Sequence, residues 1–156
     1  MNKILIIGAG AMGSAFSVPC ADNNNEVTLI GTFLENELIS KINSNNKFHP
    51  SLNINLPSKI NIQSFDNLNN ITKKDIDIIV VAVSSIGIDW AGDEISKFYK
   101  DKTPILLLTK GLSINNDQLV TLSEKLELKL KNNGHKEINI SSVKGPCLAS
   151  GLANKM

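Results

Sequence analysis

Arginine is absent from this chain of 156 residues, so its positive side chains are lysines and two histidines. Any phosphate contact within the chain must therefore use lysine, hydroxyl or backbone N–H groups, without the two-pronged hydrogen bonding of a guanidinium. Sixteen basic residues nearly balance 15 acidic ones, which leaves a net charge of +1. This balance excludes a long-range electrostatic field that would attract nucleic acid or an anionic membrane.

Cysteine, histidine and long apolar runs are also scarce. Cys20 and Cys147 lie too far apart to form a metal-ligand cluster or a disulfide framework, so we expect no metal site and a reducing environment. His49 and His135 have no carboxylate at catalytic spacing, and we interpret both as loop residues. Because no apolar stretch approaches the length of a bilayer span, we expect a soluble, cytoplasmic protein without membrane or nucleic-acid partners.

The length and the 42% hydrophobic content suit one globular domain over residues 1–156. Short β-branched runs alternate with helical patterns, which predicts an α/β fold with a doubly wound, mostly parallel sheet of the Rossmann type. The predicted strands cover residues 3–7, 27–30, 59–64, 77–83, 104–109 and 138–143. The predicted helices cover residues 11–22, 33–43, 86–99 and 116–130, the last with Leu119, Leu122, Leu126 and Leu130 on one face, and residues 43–57 are predicted to form a loop.

A glycine-rich turn, G-A-G-A-M-G, follows the first predicted strand and opens the first predicted helix. Gly8 suits the tight turn, Gly10 leaves room for a pyrophosphate, and Gly13 allows the helix to pack closely on the strand. The N–H groups at the start of that helix attract negative charge. In a βαβ unit of about 30 residues, this pattern predicts a site for NAD or NADP rather than a purely structural turn.

The end of the second predicted strand usually selects between NAD and NADP, because an acidic residue there binds the ribose 2′-hydroxyl. Here the strand ends in Gly31 and Thr32, with Glu35 and Glu37 a turn later. Thr32 suits a hydroxyl or a phosphate, or it caps the following helix. The absence of a carboxylate at position 31 slightly favours tolerance of NADP, and the preference stays open.

Polar residues follow the other predicted strands, at the edge where ligands bind in open parallel sheets. They are Ser84 and Ser85, the segment 109–111 and the segment 144–146. Lys110 is the strongest candidate for a ligand contact, and a solvated lysine at a strand end is its alternative. Cys147 lies near the same edge, where a small packed side chain is favoured over a reactive thiol.

Six segments carry a more specific pattern: GAGAMGSAFSVP (8–19), NEVTLIGT (25–32), HPSLNINLP (49–57), VAVSS (81–85), LLTKGL (107–112) and KGPCLASGLANKM (144–156). Together they resemble the NAD(P)-dependent glycerol-3-phosphate dehydrogenases, and the archaeal-type members most closely. The segments follow the family's order and spacing along the whole chain. This combination is much more specific than any one motif.

The resemblance implies reversible hydride transfer between NAD(P)H and dihydroxyacetone phosphate, giving glycerol 3-phosphate. It places Lys110 at both the cofactor and the substrate, as the chain's candidate catalytic residue, with Gly145 and Cys147 beside the phosphorylated triose. Cofactor contacts are implied for Gly8, Gly10, Ala11, Met12, Gly13, Thr32, Ser84, Ser85 and, at the nicotinamide end, Ala149.

Two departures from the family bear on activity. Ser150 and Gly151 stand where the family usually continues with a glutamate. The family also continues past the position of Met156 into a helical substrate domain, which supplies a catalytic lysine and a phosphate-binding arginine. We therefore expect this chain alone to be nearly inactive and, where apolar surface is left uncovered, to self-associate as a homodimer. The alternative is a free-standing NAD(P)-binding sensor or regulatory module.

Overall fold

Strands and helices alternate along residues 1–155, the part of the chain that this computed structural model describes. The strands are β1 (Lys3–Ile7), β2 (Glu26–Ile30), β3 (Phe48–His49), β4 (Ile54–Asn55), β5 (Asn61–Gln63), β6 (Ile78–Val81), β7 (Pro104–Leu107), β8 (Leu112–Asn115), β9 (Gln118–Thr121) and β10 (Asn139–Ser142). The helices are α1 (Ala11–Asp22), α2 (Asn36–Ser44), α3 (Leu68–Ile71), α4 (Ile88–Ser96), α5 (Leu122–Asn132) and α6 (Ala149–Ala153).

Six of these strands form one sheet in the order β10-β7-β6-β1-β2-β5, and every neighbouring pair in it is parallel. From β1 the chain first builds outward through β2 to β5, and it then returns to β6 and builds in the other direction. The order therefore reverses between β1 and β6, where open α/β sheets form their ligand crevice. The predicted doubly wound α/β fold is confirmed.

Strand β1 is buried on both faces, as its apolar run predicts. Leu5 and Ile7 belong to the core shared with α4 and α5, whereas Ile4 and Ile6 belong to the core shared with α1 and α2. This alternation follows from the two-residue period of a strand, and helices on both faces remove both sets of side chains from water.

The predicted helix over residues 116–130 is wrong in its first part. Strands β8 and β9 form an antiparallel hairpin, and Asn116 and Asp117 at its tip have φ values of 48° and 60°. Asn and Asp tolerate this left-handed conformation better than most residues do, so they suit a hairpin turn. Helix α5 starts only at Leu122, so Leu119 is 69% exposed rather than on the buried helix face.

Other predicted boundaries differ from the structure at loops. Helix α2 starts at Asn36, three residues later than predicted, which leaves Phe33 and Leu34 in an exposed turn. The predicted loop over 43–57 contains the short β3–β4 hairpin. Helices α3 and α6 have no counterpart among the predicted elements, because segments of four and five residues are too short to show helical periodicity. No helix among residues 1–155 has both the length and the apolar character needed to cross a membrane.

Helix α5 begins with a capping box that explains its exact start. The Thr121 hydroxyl accepts the N–H of Glu124 at 3.2 Å, and the Glu124 carboxylate accepts the N–H of Thr121 at 2.6 Å. The Thr121 hydroxyl also donates to the Glu124 carboxylate, at 2.8 Å. The hydrogen bond from the Thr121 N–H and then the one from its hydroxyl lower the pKa of the Glu124 carboxyl. The contribution of Glu124 to stability is therefore complete above the ordinary pKa of a glutamate. It is lost as the pH falls from that value through the lower pKa that Glu124 has in the folded chain.

We predict that Thr121→Ala lowers the free energy of unfolding by about 1 kcal/mol, because an N–H at the helix start loses its acceptor. Urea denaturation at pH 7 measures the change. Ser40→Ala, at an exposed position inside α2, is the control and should leave stability nearly unchanged. Equal stability of Thr121→Ala and the wild type would contradict the role assigned to the cap.

Candidate dinucleotide site

The glycine turn connects β1 to α1 at the point where the strand order reverses. Gly8 has a φ of +109°, and its N–H donates to the carbonyl of Ile30 at 2.9 Å. A Cβ at Gly8 would lie 2.6 Å from the carbonyl oxygen of Ala82, and one at Gly13 would lie 2.0 Å from the carbonyl oxygen of Gly8. These contacts leave no room for side chains, so both glycines are needed for the backbone to pack this closely.

Gly10 has a different environment, because its missing side chain leaves open space. A Cβ there would meet only the Glu35 carboxylate, at 3.4 Å. No side chain caps α1, and within residues 1–155 the N–H groups of Ala11, Met12 and Gly13 have no hydrogen-bond acceptor. Free N–H groups at the start of a 12-residue helix, beside a position without a side chain, fit the pyrophosphate of a dinucleotide.

A pocket of about 520 Å³ adjoins the turn between the ends of β2 and β6. Trp90 forms one wall, and its ring centroid lies 5.5 Å from that of Phe33 and 5.3 Å from that of Phe65. The exposed side chains of Leu34 and Ile86 are also part of the lining. A largely apolar pocket of this size, with aromatic side chains at one wall, suits an aromatic base such as adenine.

Thr32 and Ser84 line this pocket together with Gly10, whereas Ser85 lies in the short helical turn beside it and is not part of the lining. The N–H of Thr32 donates to Glu35 Oε2 at 2.7 Å. The residue that precedes α2 is Glu35, so the alternative role of Thr32 as a helix cap is wrong. The chain turns back after β2, and this turn brings the Glu35 carboxylate to the N–H of Ala9 in the glycine turn.

The two motifs that follow β7 and β10 are in direct contact. Lys110 Nζ donates to the carbonyl of Gly145, which also accepts the N–H of Cys147 at 3.0 Å. The Thr109 hydroxyl donates to the carbonyl of Val83 at 2.6 Å and so ties the end of β7 to the end of β6. The sheet thus brings Lys110, Gly145 and Cys147 together.

A second cavity, of about 170 Å³, connects these residues to the start of α1. Its lining includes Met12, Lys110 and Cys147 along with apolar side chains. Ala149, in α6, packs against the cluster around Ala15. The cavity therefore lies between the start of α1 and Lys110, which is exposed. Cys20 lies elsewhere on α1, where burial raises the pKa of its thiol to about 11.

His49 lies in β3 rather than in a loop, and it is fully buried. Its Nε2 lies 3.1 Å from the carbonyl oxygen of Ala9, within the glycine turn. Because a carbonyl only accepts, Nε2 carries the proton and donates to it. Within residues 1–155, Nδ1 is buried without a partner. His49 thus holds the turn from the β3–β4 hairpin, a contact that the sequence shows only as a histidine next to a proline.

The parallel order of strands, the reversal beside β1 and the glycine turn at that point define a Rossmann-type dinucleotide-binding domain. The family model for the NAD-dependent glycerol-3-phosphate dehydrogenase N-terminus matches residues 3–156. The chain belongs to this family.

Two relatives show the extent of the similarity. An NADP(+)-dependent glycerol-3-phosphate dehydrogenase of Archaeoglobus fulgidus is 31% identical over 153 residues, which cover 98% of this chain and 44% of the relative. A glycerol-3-phosphate dehydrogenase [NAD(P)+] of Rickettsia bellii is 33% identical over 154 residues, which cover 97% of this chain and 45% of the relative. The chain thus spans less than half the length of these relatives.

Solved structures share the fold. Glycerol-3-phosphate dehydrogenase from Coxiella burnetii matches with a TM-score of 0.76 at 22% identity, over 99% of this chain and 44% of that one. The enzyme from Saccharomyces cerevisiae matches with a TM-score of 0.75 at 19% identity, over the same shares of the two chains. At these identities, the likeness is evidence for the fold alone.

We predict that alanine destabilises the fold far more at Gly13 than at Gly10, two glycines of the same turn. Gly13→Ala should lower the free energy of unfolding by about 3 kcal/mol or more, because its Cβ would overlap the Gly8 carbonyl. Gly10→Ala should cost about 1 kcal/mol at most, since its Cβ meets only a side-chain atom at ordinary contact distance. Urea denaturation of both variants tests the contrast, and equal losses would contradict it.

Proposed function

We propose that this chain binds NAD or NADP at the glycine turn and forms the cofactor half of a glycerol-3-phosphate dehydrogenase. One observation carries the proposal: free N–H groups at the start of α1 face the space that the missing side chain of Gly10 leaves open. This arrangement suits an anionic pyrophosphate and has no evident structural purpose. The family to which the chain belongs supports the part of the proposal that concerns the reaction.

The residues that would hold the cofactor lie in the glycine turn and around the two cavities. The backbone around Gly8, Gly10 and Gly13, with Ala11 and Met12, would bind the pyrophosphate. Thr32 and Ser84 would contact the adenosine half in the 520 Å³ pocket, with Ser85 beside it. Met12 and Lys110 line the 170 Å³ cavity, toward which the nicotinamide half would extend, with Ala149 at that end.

When bound in its reduced form, the nicotinamide supplies the hydride that converts a ketone into an alcohol. The task of Lys110 is to position the substrate and balance its charge. Its ammonium has three N–H groups, and one of them donates a hydrogen bond to the carbonyl of Gly145. The other two can donate to the phosphate or to the carbonyl oxygen of a triose phosphate. The same Gly145 carbonyl accepts the N–H of Cys147, and these two residues would form the adjoining wall of the substrate site.

The proposed substrates are dihydroxyacetone phosphate and glycerol 3-phosphate, because the relatives are named glycerol-3-phosphate dehydrogenases. The matched region is less than half of each relative, and we therefore propose that turnover also requires a helical substrate domain. A positioned general acid contributes roughly 100- to 10,000-fold in rate, so residues 1–156 alone should reduce dihydroxyacetone phosphate very slowly.

Trp90 provides a direct test of cofactor binding, because it is the only tryptophan and it lines the larger pocket. Titration of the chain with NADH and with NADPH should quench its fluorescence in a saturable manner for at least one of them. Gly10→Ala keeps the fold but fills the open space, so we expect binding to weaken by about tenfold or more. Absence of any response to either cofactor, by fluorescence and by calorimetry, would contradict the proposal.

A second prediction concerns Lys110. In an enzyme that carries this chain together with its substrate domain, Lys110→Ala should lower kcat/KM for dihydroxyacetone phosphate by about 100-fold, because a charged donor at the substrate is lost. Thermal stability should not change, since the side chain is exposed. Lys136→Ala, another exposed lysine, is the control. An unchanged rate for Lys110→Ala would remove this residue from the site.

A further inference from the structure

The carboxylate of Glu35 lies where the glycine turn meets the end of β2. Its Oε2 accepts the N–H of Thr32 at 2.7 Å and the N–H of Ala9 at 3.0 Å. Its Oε1 lies 3.4 Å from the position that a Cβ of Gly10 would occupy. In sequence Glu35 is five residues beyond the last residue of β2, Ile30. The folded-back turn returns its carboxylate to the strand end.

The two oxygens of this carboxylate have different surroundings. Oε2 is held by two backbone donors, which fix the orientation of the group. In the part of the chain that the structure describes, both hydrogen bonds to the Glu35 carboxylate go to Oε2 and none goes to Oε1. Glu35 is among the residues that line the 520 Å³ pocket. A carboxylate oxygen that is positioned and without a donor is ready to accept a hydrogen bond from a ligand hydroxyl.

The pocket around Glu35 offers no positive counterpart to a phosphate. Its lining within residues 1–155 is Gly10, Thr32, Phe33, Leu34, Glu35, Ala82, Val83, Ser84, Ile86, Gly87 and Trp90, which includes no lysine or histidine. The chain also has no arginine. Lys41, on the following helix, pairs with Glu37 at 2.6 Å. A second negative group brought next to Glu35 would therefore meet repulsion that no cation of the lining offsets.

We propose that Glu35 makes this site selective for NAD(H) over NADP(H), by accepting a hydrogen bond from the adenosine ribose 2′-hydroxyl and repelling a 2′-phosphate. The inference rests on the proposed function, since it places the adenosine half of the cofactor in the 520 Å³ pocket. It reverses the slight expectation of NADP tolerance that the residues at the strand end suggest. Glu35 takes the part that an acidic residue at the strand end usually plays.

The test compares NADH and NADPH binding, measured by Trp90 fluorescence and calorimetry, in the wild type and in Glu35→Gln. We expect the wild type to bind NADH at least about tenfold more tightly than NADPH. Glutamine keeps an oxygen that accepts the N–H groups of Thr32 and Ala9 but removes the charge. The preference should therefore fall to about threefold or less, chiefly through tighter NADPH binding.

Glu37→Gln is the matched control, because it removes one negative charge two residues further along the chain, in the first turn of α2, where Glu37 pairs with Lys41 rather than with the glycine turn. It should leave the preference as in the wild type. ADP-ribose and 2′-phospho-ADP-ribose should show the same difference as the two cofactors, since the discriminating group lies on the adenosine half. Melting temperatures of both variants show whether a change in binding comes from loss of structure.

The outcomes separate this inference from the function on which it rests. If neither cofactor binds, the proposed function fails and the selectivity with it. If both bind but the wild type shows no preference for NADH, or if Glu35→Gln keeps the full preference, the role of Glu35 is wrong and cofactor binding stands. Equal weakening of both cofactors in Glu35→Gln would likewise overturn selectivity and assign Glu35 to the structure of the turn.

Discussion

The contact between Gly13 and the Gly8 carbonyl is the constraint on which the rest of the site depends. The two backbone segments approach so closely that a Cβ at Gly13 would lie 2.0 Å from the Gly8 oxygen. This approach sets the start of α1 directly against the end of β1, where its free N–H groups face the crevice between β1 and β6. The Glu35 carboxylate and the His49 ring then fix the turn from two sides, through the N–H and the carbonyl of Ala9.

The core and the site have a common origin in the parallel sheet. Its strands all run in the same direction, so the polar residues that follow them emerge at one edge. Lys110 follows β7 and Gly145 follows β10, and the pairing of these two strands brings the ammonium of one to the carbonyl of the other. Lys110 and Gly145 are 35 positions apart in sequence. They meet because their strands are neighbours in the sheet, and no local sequence pattern specifies the contact.

Much of this arrangement could be predicted from the sequence, because its signals are local. The apolar run at 3–7 and the glycine motif after it are short continuous segments, and the helix at 11–22 shows helical spacing. The strand and the helix have the predicted bounds, with the glycine turn between them. The β8–β9 hairpin could not be predicted in the same way, since the leucines at 119, 122, 126 and 130 fit helical spacing on both sides of the true boundary. Glu35 and His49 also escaped prediction, because their positions depend on how a turn and a hairpin fold back onto Ala9.

The central claim is that the backbone at the start of α1 binds the pyrophosphate of a dinucleotide. Amide NMR of the chain during titration with NADH tests it residue by residue. We expect the largest chemical-shift changes at Gly10, Ala11, Met12 and Gly13, with little change at Asn61 and Ile78 at the opposite edge of the sheet. Changes confined to that opposite edge, or no change at all in the glycine turn, would contradict the account.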